Sequence, residues 1–235
     1  MTAVLPLLGL LLLVPALATA ASLAVAPTRI ELREDARIGA VTVRNEGKQS
    51  VLVQAETFRW TASSPEDVLE PTRDLLAVPP VFRIAPGGRQ TVRVGLREGF
   101  PRDVERSYRL LLTEVAEAQP GAAEGVRFSL RLSLPVFVRP RAARPELHWR
   151  AHRRDRVLHV EAENRGSAHV RLGVVRLIAG SGRVVTLKDT AGYLLPGERR
   201  GWRVRDPGFA AGGAVALVVE TQQGPSRAEL LVEED

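Results

Sequence analysis

Cysteine is absent from this chain of 235 residues, and lysine occurs only at positions 48 and 188. Without cysteine there is no disulfide, no thiolate metal site and no lipid attachment after an export signal, so a hydrophobic core must hold each folded unit together. The arginines that give the formal net charge of +6 are spread along alternating stretches, without a basic run and interleaved aromatics. This distribution fits solvated strand faces and argues against a nucleic-acid partner.

Catalytic and cofactor motifs are also missing. The chain has no Gly-x-Ser-x-Gly elbow, no phosphate-binding loop and no paired-cysteine motif. His148 and His152 have the spacing of metal ligands on a helix, but they lie in a strand-like stretch beside Trp149. Nothing assembles a nucleophile, a base and an oxyanion donor. We therefore predict no enzyme, no metal site and no cofactor.

The first 20 residues have the form of an export signal. Positions 4–17 are almost wholly apolar, and residues 18–20 read Ala-Thr-Ala, a small-x-small cleavage site. The apolar run is short for a membrane span, and no later run is longer, so we expect no stable membrane insertion after cleavage. An uncleaved anchor is the alternative, because no lysine or arginine precedes the run.

Apolar residues alternate with polar ones along much of the chain, with turn residues between the alternating stretches. This period of two predicts strands at residues 41–43, 51–53, 92–94 and 157–160. Only the acidic stretch at 64–67 could begin a short helix. Many short strands and few helices indicate an all-β protein built from sandwiches or barrels.

The two halves of the chain carry the same signals in the same order. An Asn-x-Gly turn stands at residues 45–47 and again at 164–166. A Pro-Gly pair, suited to a type II turn, follows at 86–87 and again at 196–197. This repeat predicts a pair of β-sandwiches.

A polar stretch between Pro140 and Pro145 separates the halves, since two prolines there would interrupt strand pairing. Each side of it is long enough for a domain of about 100 residues. We predict a first domain at 21–140 and a second at 141–235.

At Pro27 the apolar residues shift from odd-numbered to even-numbered positions. Leu23 and Val25 lie on odd positions, whereas Ile30 and Leu32 lie on even ones. A strand that changes the face it buries is expected to pass from one sheet to the other.

Residues 126–138 are the most informative stretch. Side chains of a strand alternate between two faces, so one face carries the row Val126, Phe128, Leu130, Leu132, Leu134, Val136 and Val138. The stretch is unusually long for a strand. Pro135 has no backbone N–H, so pairing on both sides along the whole stretch is not expected. Two interpretations stay open: an edge that pairs with another chain, or a core strand of a sandwich.

Five stretches of the first half resemble, in order, those of the periplasmic pilus chaperones of the chaperone–usher pathway. The more specific two are Pro-Pro-x-x-Arg-x-x-Pro-Gly and the terminal Arg-Pro. The stretches are residues 27–29, 43–45, 79–87, 102–108 and 136–140.

This resemblance implies two immunoglobulin-like domains with a cleft between them, and periplasmic localisation. It also implies a mechanism in which the chaperone lends a strand to an incomplete pilus subunit and delivers the subunit to an outer-membrane usher. In this chain the lent residues would be Val126, Phe128, Leu130 and Leu132.

The resemblance further implies a basic pair that grips the C-terminal carboxylate of the subunit. The arginine of that pair falls on Arg29, and its forked geometry suits a carboxylate. The lysine's place is occupied by Pro135. Arg131 lies on the same strand face and is the favoured substitute, ahead of Arg127 and Arg93.

A second function remains possible at this level: an exported binding or adhesion module with two immunoglobulin-like domains and no chaperone activity. The strand at 126–138 discriminates the two, because a chaperone must keep it as an accessible edge, whereas an adhesion module can cover it.

Overall fold

The computed structural model describes most of the chain. It covers residues 23–63, 66–97, 99–116, 129–205, 208–209 and 212–234. The predicted export signal and the predicted donor residues Val126 and Phe128 lie outside the described residues.

The described residues form strands and no helix. The strands of the first half are β1 (Leu23–Ala26), β2 (Ile30–Leu32), β3 (Ile38–Asn45), β4 (Val51–Ser63), β5 (Glu66–Pro71), β6 (Leu75–Val78), β7 (Val81–Ile84), β8 (Arg89–Leu96), β9 (Arg106–Val115) and β10 (Arg131–Val138). Those of the second half are β11 (Leu147–Arg154), β12 (Val157–Asn164), β13 (Val170–Ala179), β14 (Val184–Thr186), β15 (Gly192–Leu194), β16 (Arg199–Arg205), β17 (Ala214–Thr221) and β18 (Gly224–Glu234).

The four strands predicted from alternation fall within β3, β4, β8 and β12 and are confirmed. The short helix predicted around residues 64–67 is wrong, because Glu66 and Asp67 begin β5. There they pair with the end of β4, and the cross-strand ladder of a long hairpin outweighs the local helix-start signal.

The first half forms two sheets packed on one core. One sheet has the order β1-β3-β8-β6, and the other has the order β2-β10-β9-β4-β5, with β7 also pairing with β4. Buried apolar side chains of both sheets form a single cluster, which includes Val41, Val94, Leu75, Leu110 and Val136. Alternate residues of most of these strands supply this core, as a sandwich requires.

The second half forms one eight-stranded sheet with its own core. The order is β14-β13-β17-β18-β11-β12-β16, and β15 pairs with β13. β18 pairs with β17 through residues 224–231 and with β11 through residues 232–234. This one long strand therefore connects the part of the sheet that contains β17 to the part that contains β11. The segment 139–146 connects this half to β10. The domain bounds 21–140 and 141–235 stay predictions.

The chain passes between sheets at Pro27, as the parity change predicted. β1 pairs with β3 in the first sheet, whereas β2 pairs with β10 in the second. This crossing brings Arg29 to the edge of β10.

The repeated turn signals correspond to a repeated structure. In the first half the buried side-chain amide of Asn45 donates to the carbonyls of Gln49 and Ile84, at 2.7 and 3.0 Å. Its oxygen accepts from Gly47 N at 2.9 Å, and its own carbonyl accepts from Gly87 N at 2.9 Å. One asparagine thus ties the Asn-x-Gly turn to the Pro-Gly turn.

Asn164 does the same in the second half. Its amide donates to the carbonyls of Ala168 and Leu194, at 2.8 and 3.0 Å. Gly166 N donates to its side-chain oxygen at 3.1 Å, and Gly197 N donates to its carbonyl at 2.8 Å. The repeat in the sequence is therefore a repeat of hydrogen bonding.

Candidate functional site

β10 has a partner on one side only along much of its length. It pairs antiparallel with β9 from residue 131 to residue 138. On its other side it pairs in parallel with β2, and there only Val136–Val138 meet Ile30–Leu32. Along residues 131–135 this second side has no partner strand among the described residues. The expectation that the strand is not paired on both sides throughout is confirmed.

The apolar row of this strand changes from buried to partly exposed along its length. Leu134, Val136 and Val138 belong to the first core, and Leu132 packs against that core while only partly buried. Leu130 is also partly buried. The core interpretation therefore holds for Leu134, Val136 and Val138, whereas the edge interpretation stays open for Leu130 and Leu132.

The described residues that precede β10 are bonded to the end of β9. β10 starts at Arg131, and Leu130 precedes it. Glu114 N donates to the carbonyl of Leu130 at 2.9 Å, while Ser129 Oγ donates to the carbonyl of Glu114 at 2.7 Å. These bonds fix the residues just before the strand against the end of β9.

The opposite face of β10 meets the second half of the chain. Pro135 and Phe137 are buried there, while Arg131 and Ser133 are exposed. The Phe137 ring stacks on the imidazole of His169, with ring centroids 3.5 Å apart and an interplanar angle of 14°. The hydrophobic cluster around this ring contains Trp60, Tyr193 and Leu195. β10 is thus both the free edge and one wall of the joint between the two halves.

A buried polar pair completes this joint. Glu105 Oε1 accepts from His169 Nδ1 at 2.7 Å and from His169 N at 3.1 Å. The side chains are 0% and 1% exposed, respectively. Glu105 N also donates to the carbonyl of Ser167 at 2.9 Å. Neither residue was singled out by the sequence, because the two are 64 positions apart.

Arg29 lies just before β2 begins, at the end of the free edge of β10. Arg29 and Pro135 are the residues that immediately precede the parallel pairing of Ile30 with Val136. The Arg29 side chain is 36% exposed, and its Nη2 lies 3.1 Å from Glu31 Oε1. A guanidinium thus lies at the end of the edge, with a carboxylate already beside it.

Of the other arginines named from the sequence, the structure describes Arg131 and Arg93, and neither is brought to Arg29. Arg131 is exposed, and its Nε donates to Thr113 Oγ1 at 3.3 Å. Its backbone lies about 13 Å along the strand from the position of Arg29, at about 3.3 Å per residue. Arg93 lies on β8, in the other sheet, and Arg127 is outside the described residues.

Arg109 is the arginine that sequence reasoning missed. It lies directly opposite Pro135 on β9. Its guanidinium contacts β4 and β5: it stacks 3.7 Å from the Trp60 ring centroid and lies 3.2 Å from Asp67 Oδ2. Burial lowers the pKa of Arg109, and the charge of Asp67 opposes that shift. Only the register of β9 against β10 places this residue here, so no signal in the sequence could have identified it.

The residues that the structure describes include no group of three metal-ligating side chains and no helix that could cross a membrane. The described part of β10 and the residues around it can therefore pair with an added strand, contact apolar side chains and bind a charged group.

The sequence model of one family matches residues 22–144, more than half of the chain: "Pili and flagellar-assembly chaperone, PapD N-terminal domain". Two curated proteins are similar over about half of the chain. The chaperone protein FaeE of Escherichia coli is 35% identical over 124 residues, 52% of this chain and 45% of FaeE. The chaperone protein FimB/FhaD of Bordetella pertussis is 32% identical over 132 residues, 53% of each chain. This chain thus spans about half the length of these relatives.

Solved structures are similar over almost the whole chain. One is the CsuC–CsuE chaperone–tip adhesion subunit pre-assembly complex from archaic chaperone-usher Csu pili of Acinetobacter baumannii, with a TM-score of 0.66, 20% identity, and 91% and 99% of the two chains covered. Another is the SafA pilin of Salmonella enterica in complex with the SafB chaperone, with a TM-score of 0.62, 20% identity, and coverage of 88% and 95%. At this identity the likeness shows the fold, two immunoglobulin-like domains.

Proposed function

Since the chain belongs to the family of pilus-assembly chaperones, we propose that it caps pilus subunits in the periplasm by donor-strand complementation and delivers them to an outer-membrane usher. Members of this family are non-enzymatic, in agreement with the predicted lack of a catalytic site.

The observation that carries this proposal is the half-free edge of β10. Along residues 131–135 the strand offers backbone groups with no partner strand among the described residues. Backbone pairing with an added strand supplies affinity that is independent of sequence, and alternate side chains supply specificity. An edge left open in this way is a hazard unless a partner uses it.

The side chains that enter the subunit are proposed to be Val126, Phe128, Leu130 and Leu132. Leu130 and Leu132 support this role because they continue the apolar row beyond the core and are only partly buried. An apolar groove in the partner would bury what the free protein leaves exposed, at about 25 cal/mol per Å² of apolar surface.

Arg29 is proposed to bind the C-terminal carboxylate of the subunit. A strand that pairs with residues 131–135 and runs parallel to β10 would end beside Arg29, in line with the start of β2. Its last group would then be a carboxylate, the group that a guanidinium fork binds best. Arg131, at the far end of the same edge, is proposed as a secondary contact.

Two structural relatives support the partner class. One is a chaperone in complex with a tip adhesion subunit, and the other is a chaperone in complex with a pilin. For this chain the pilus subunit and the usher are proposed partners.

Co-expression in the periplasm with a pilin from the same genome tests the proposal. Leu130→Asp places a charge in an apolar groove, which costs several kcal/mol if it is unpaired, and should abolish the complex. The matched control is Leu231→Asp, because Leu231 is an exposed leucine (70%) of the second half. Thermal unfolding should be unchanged in both variants.

If Leu130→Asp still co-purifies with the pilin, the lent-strand role is wrong. If it unfolds while the control does not, Leu130 belongs to the core. If no pilin co-purifies even with the unsubstituted chain, the adhesion-module alternative is favoured.

A further inference from the structure

The guanidinium of Arg29 is held by Glu31. Arg29 Nη2 lies 3.1 Å from Glu31 Oε1, and the second oxygen, Oε2, accepts from Arg33 Nη2 at 3.4 Å. Residues 29, 31 and 33 alternate in and beside β2, so their side chains share one face. The result is a row of arginine, glutamate and arginine at the end of the free edge.

A second carboxylate that approaches Arg29 meets Glu31 already there. Two carboxylates on one guanidinium repel each other, and the donor of Arg29 that faces Glu31 is already engaged. Arg33 offers Glu31 an alternative partner on the side away from Arg29. The Arg33 side chain is 61% exposed, so it can follow Glu31 without any movement of the backbone.

We propose that Glu31 is a resident competitor of the client carboxylate: it occupies Arg29 in the free protein and is left to Arg33 when the client binds. This rests on the proposed function, in which Arg29 is the anchor. Glu31 is then a specificity-determining residue that keeps the empty anchor paired and weakens capture.

The competition matters because Pro135, Arg109 and Arg131 do not supply a second cation beside Arg29. Pro135 carries no charge. The guanidinium of Arg109 is turned to Trp60 and Asp67. Arg131 stands about four residues along the strand, at about 3.3 Å for each. The carboxylate of the client therefore depends on Arg29, and Glu31 competes for that same group.

The probe is a ten-residue peptide of alternating valine and threonine whose N-terminal amine carries a fluorophore. One version ends in a free carboxylate and the other in an amide, which removes the terminal charge. Affinity is measured by fluorescence anisotropy for the unsubstituted chain and for Arg29→Gln, Glu31→Gln, Arg33→Gln and the double variant Glu31→Gln/Arg33→Gln.

Glu31→Gln should tighten binding of the carboxylate peptide by about two- to fivefold, the range expected for an exposed ion pair. Arg33→Gln should weaken binding, because Glu31 then has only Arg29. In the Glu31→Gln background the Arg33 substitution should have no effect. Binding of the amide peptide should be the same in all variants.

Unchanged or weaker binding by Glu31→Gln, with Arg29→Gln still impaired, overturns the competition and leaves the anchor in place. If the unsubstituted chain binds the two peptides equally, or binds neither, Arg29 is not a carboxylate anchor. The proposed competition by Glu31 is then refuted as well. An effect of Arg33→Gln that persists without Glu31 would assign Arg33 a direct role and also overturn the proposal.

Discussion

The buried pair Glu105–His169 predicts a large and specific effect on stability. His169→Phe keeps a ring that can stack on Phe137 but removes the Nδ1–H that donates to Glu105. Glu105 then keeps one bond from residue 169, from its backbone N. Its carboxylate is fully buried, and its second oxygen has no hydrogen-bond partner among the described residues.

Removal of one partner from a buried pair costs about 3–5 kcal/mol, because a charge is left without compensation. In a protein of this size about 1 kcal/mol shifts the melting temperature by about 2–4 °C, so we expect a fall of about 6–20 °C. Circular dichroism during heating measures this shift.

The double variant Glu105→Gln/His169→Phe is the control that isolates the charge. It removes the carboxylate and leaves a neutral amide short of one hydrogen bond, a cost of about 1–3 kcal/mol. The double variant should therefore be more stable than His169→Phe alone. If His169→Phe is as stable as the unsubstituted chain, or more stable than the double variant, the account of a charged joint is refuted.

Three further predictions rest on the sequence or on the structure. The exported protein should begin just after Ala20, and mass spectrometry of the periplasmic pool that finds an uncleaved N-terminus would contradict this. Arg29→Ala should weaken capture of a pilin by about 10- to 100-fold, from a charged hydrogen bond of about 1.5–3 kcal/mol, while thermal stability stays nearly unchanged. Arg131→Ala should have a smaller effect in the same direction. If a binding titration shows the larger effect for Arg131→Ala, Arg131 and not Arg29 is the main contact of the client carboxylate. Asn45→Ala and Asn164→Ala should each lower the free energy of unfolding by about 2–4 kcal/mol, since the first removes three side-chain bonds and the second removes four. Urea titrations that show no loss would exclude the shared role of these turns.

Local chemistry explains which features could be predicted from the sequence. Alternation at residues 41–43 and 92–94 predicts strands because side chains of a strand face opposite sides, whatever the partner strand is. The parity change at Pro27 predicts the passage between sheets for the same reason. The Asn-x-Gly and Pro-Gly pairs predict turns because glycine and asparagine accept positive φ, and Gly87 and Gly197 have φ of 70° and 78°.

The charged groups of the site show where this reasoning stops. Arg29 could be named because a short stretch around it resembles a family. Arg131 was the favoured substitute for the missing lysine because it shares a strand face with Pro135, but distance along the strand separates it from Arg29. Arg109, directly opposite Pro135, was not named at all. Strand register decides such neighbours, and it depends on pairing over the whole sheet.

The sequence by itself determined an all-β chain, the crossing at Pro27, the repeated turns and an apolar row too long for one core. Each of these follows from the conformations of neighbouring residues. Only the tertiary structure decided where β10 loses its second partner, that Glu31 holds Arg29, and that His169 meets Glu105 across 64 positions. These are contacts between strands, and their free energies depend on distance and burial, which a linear pattern of residues does not contain.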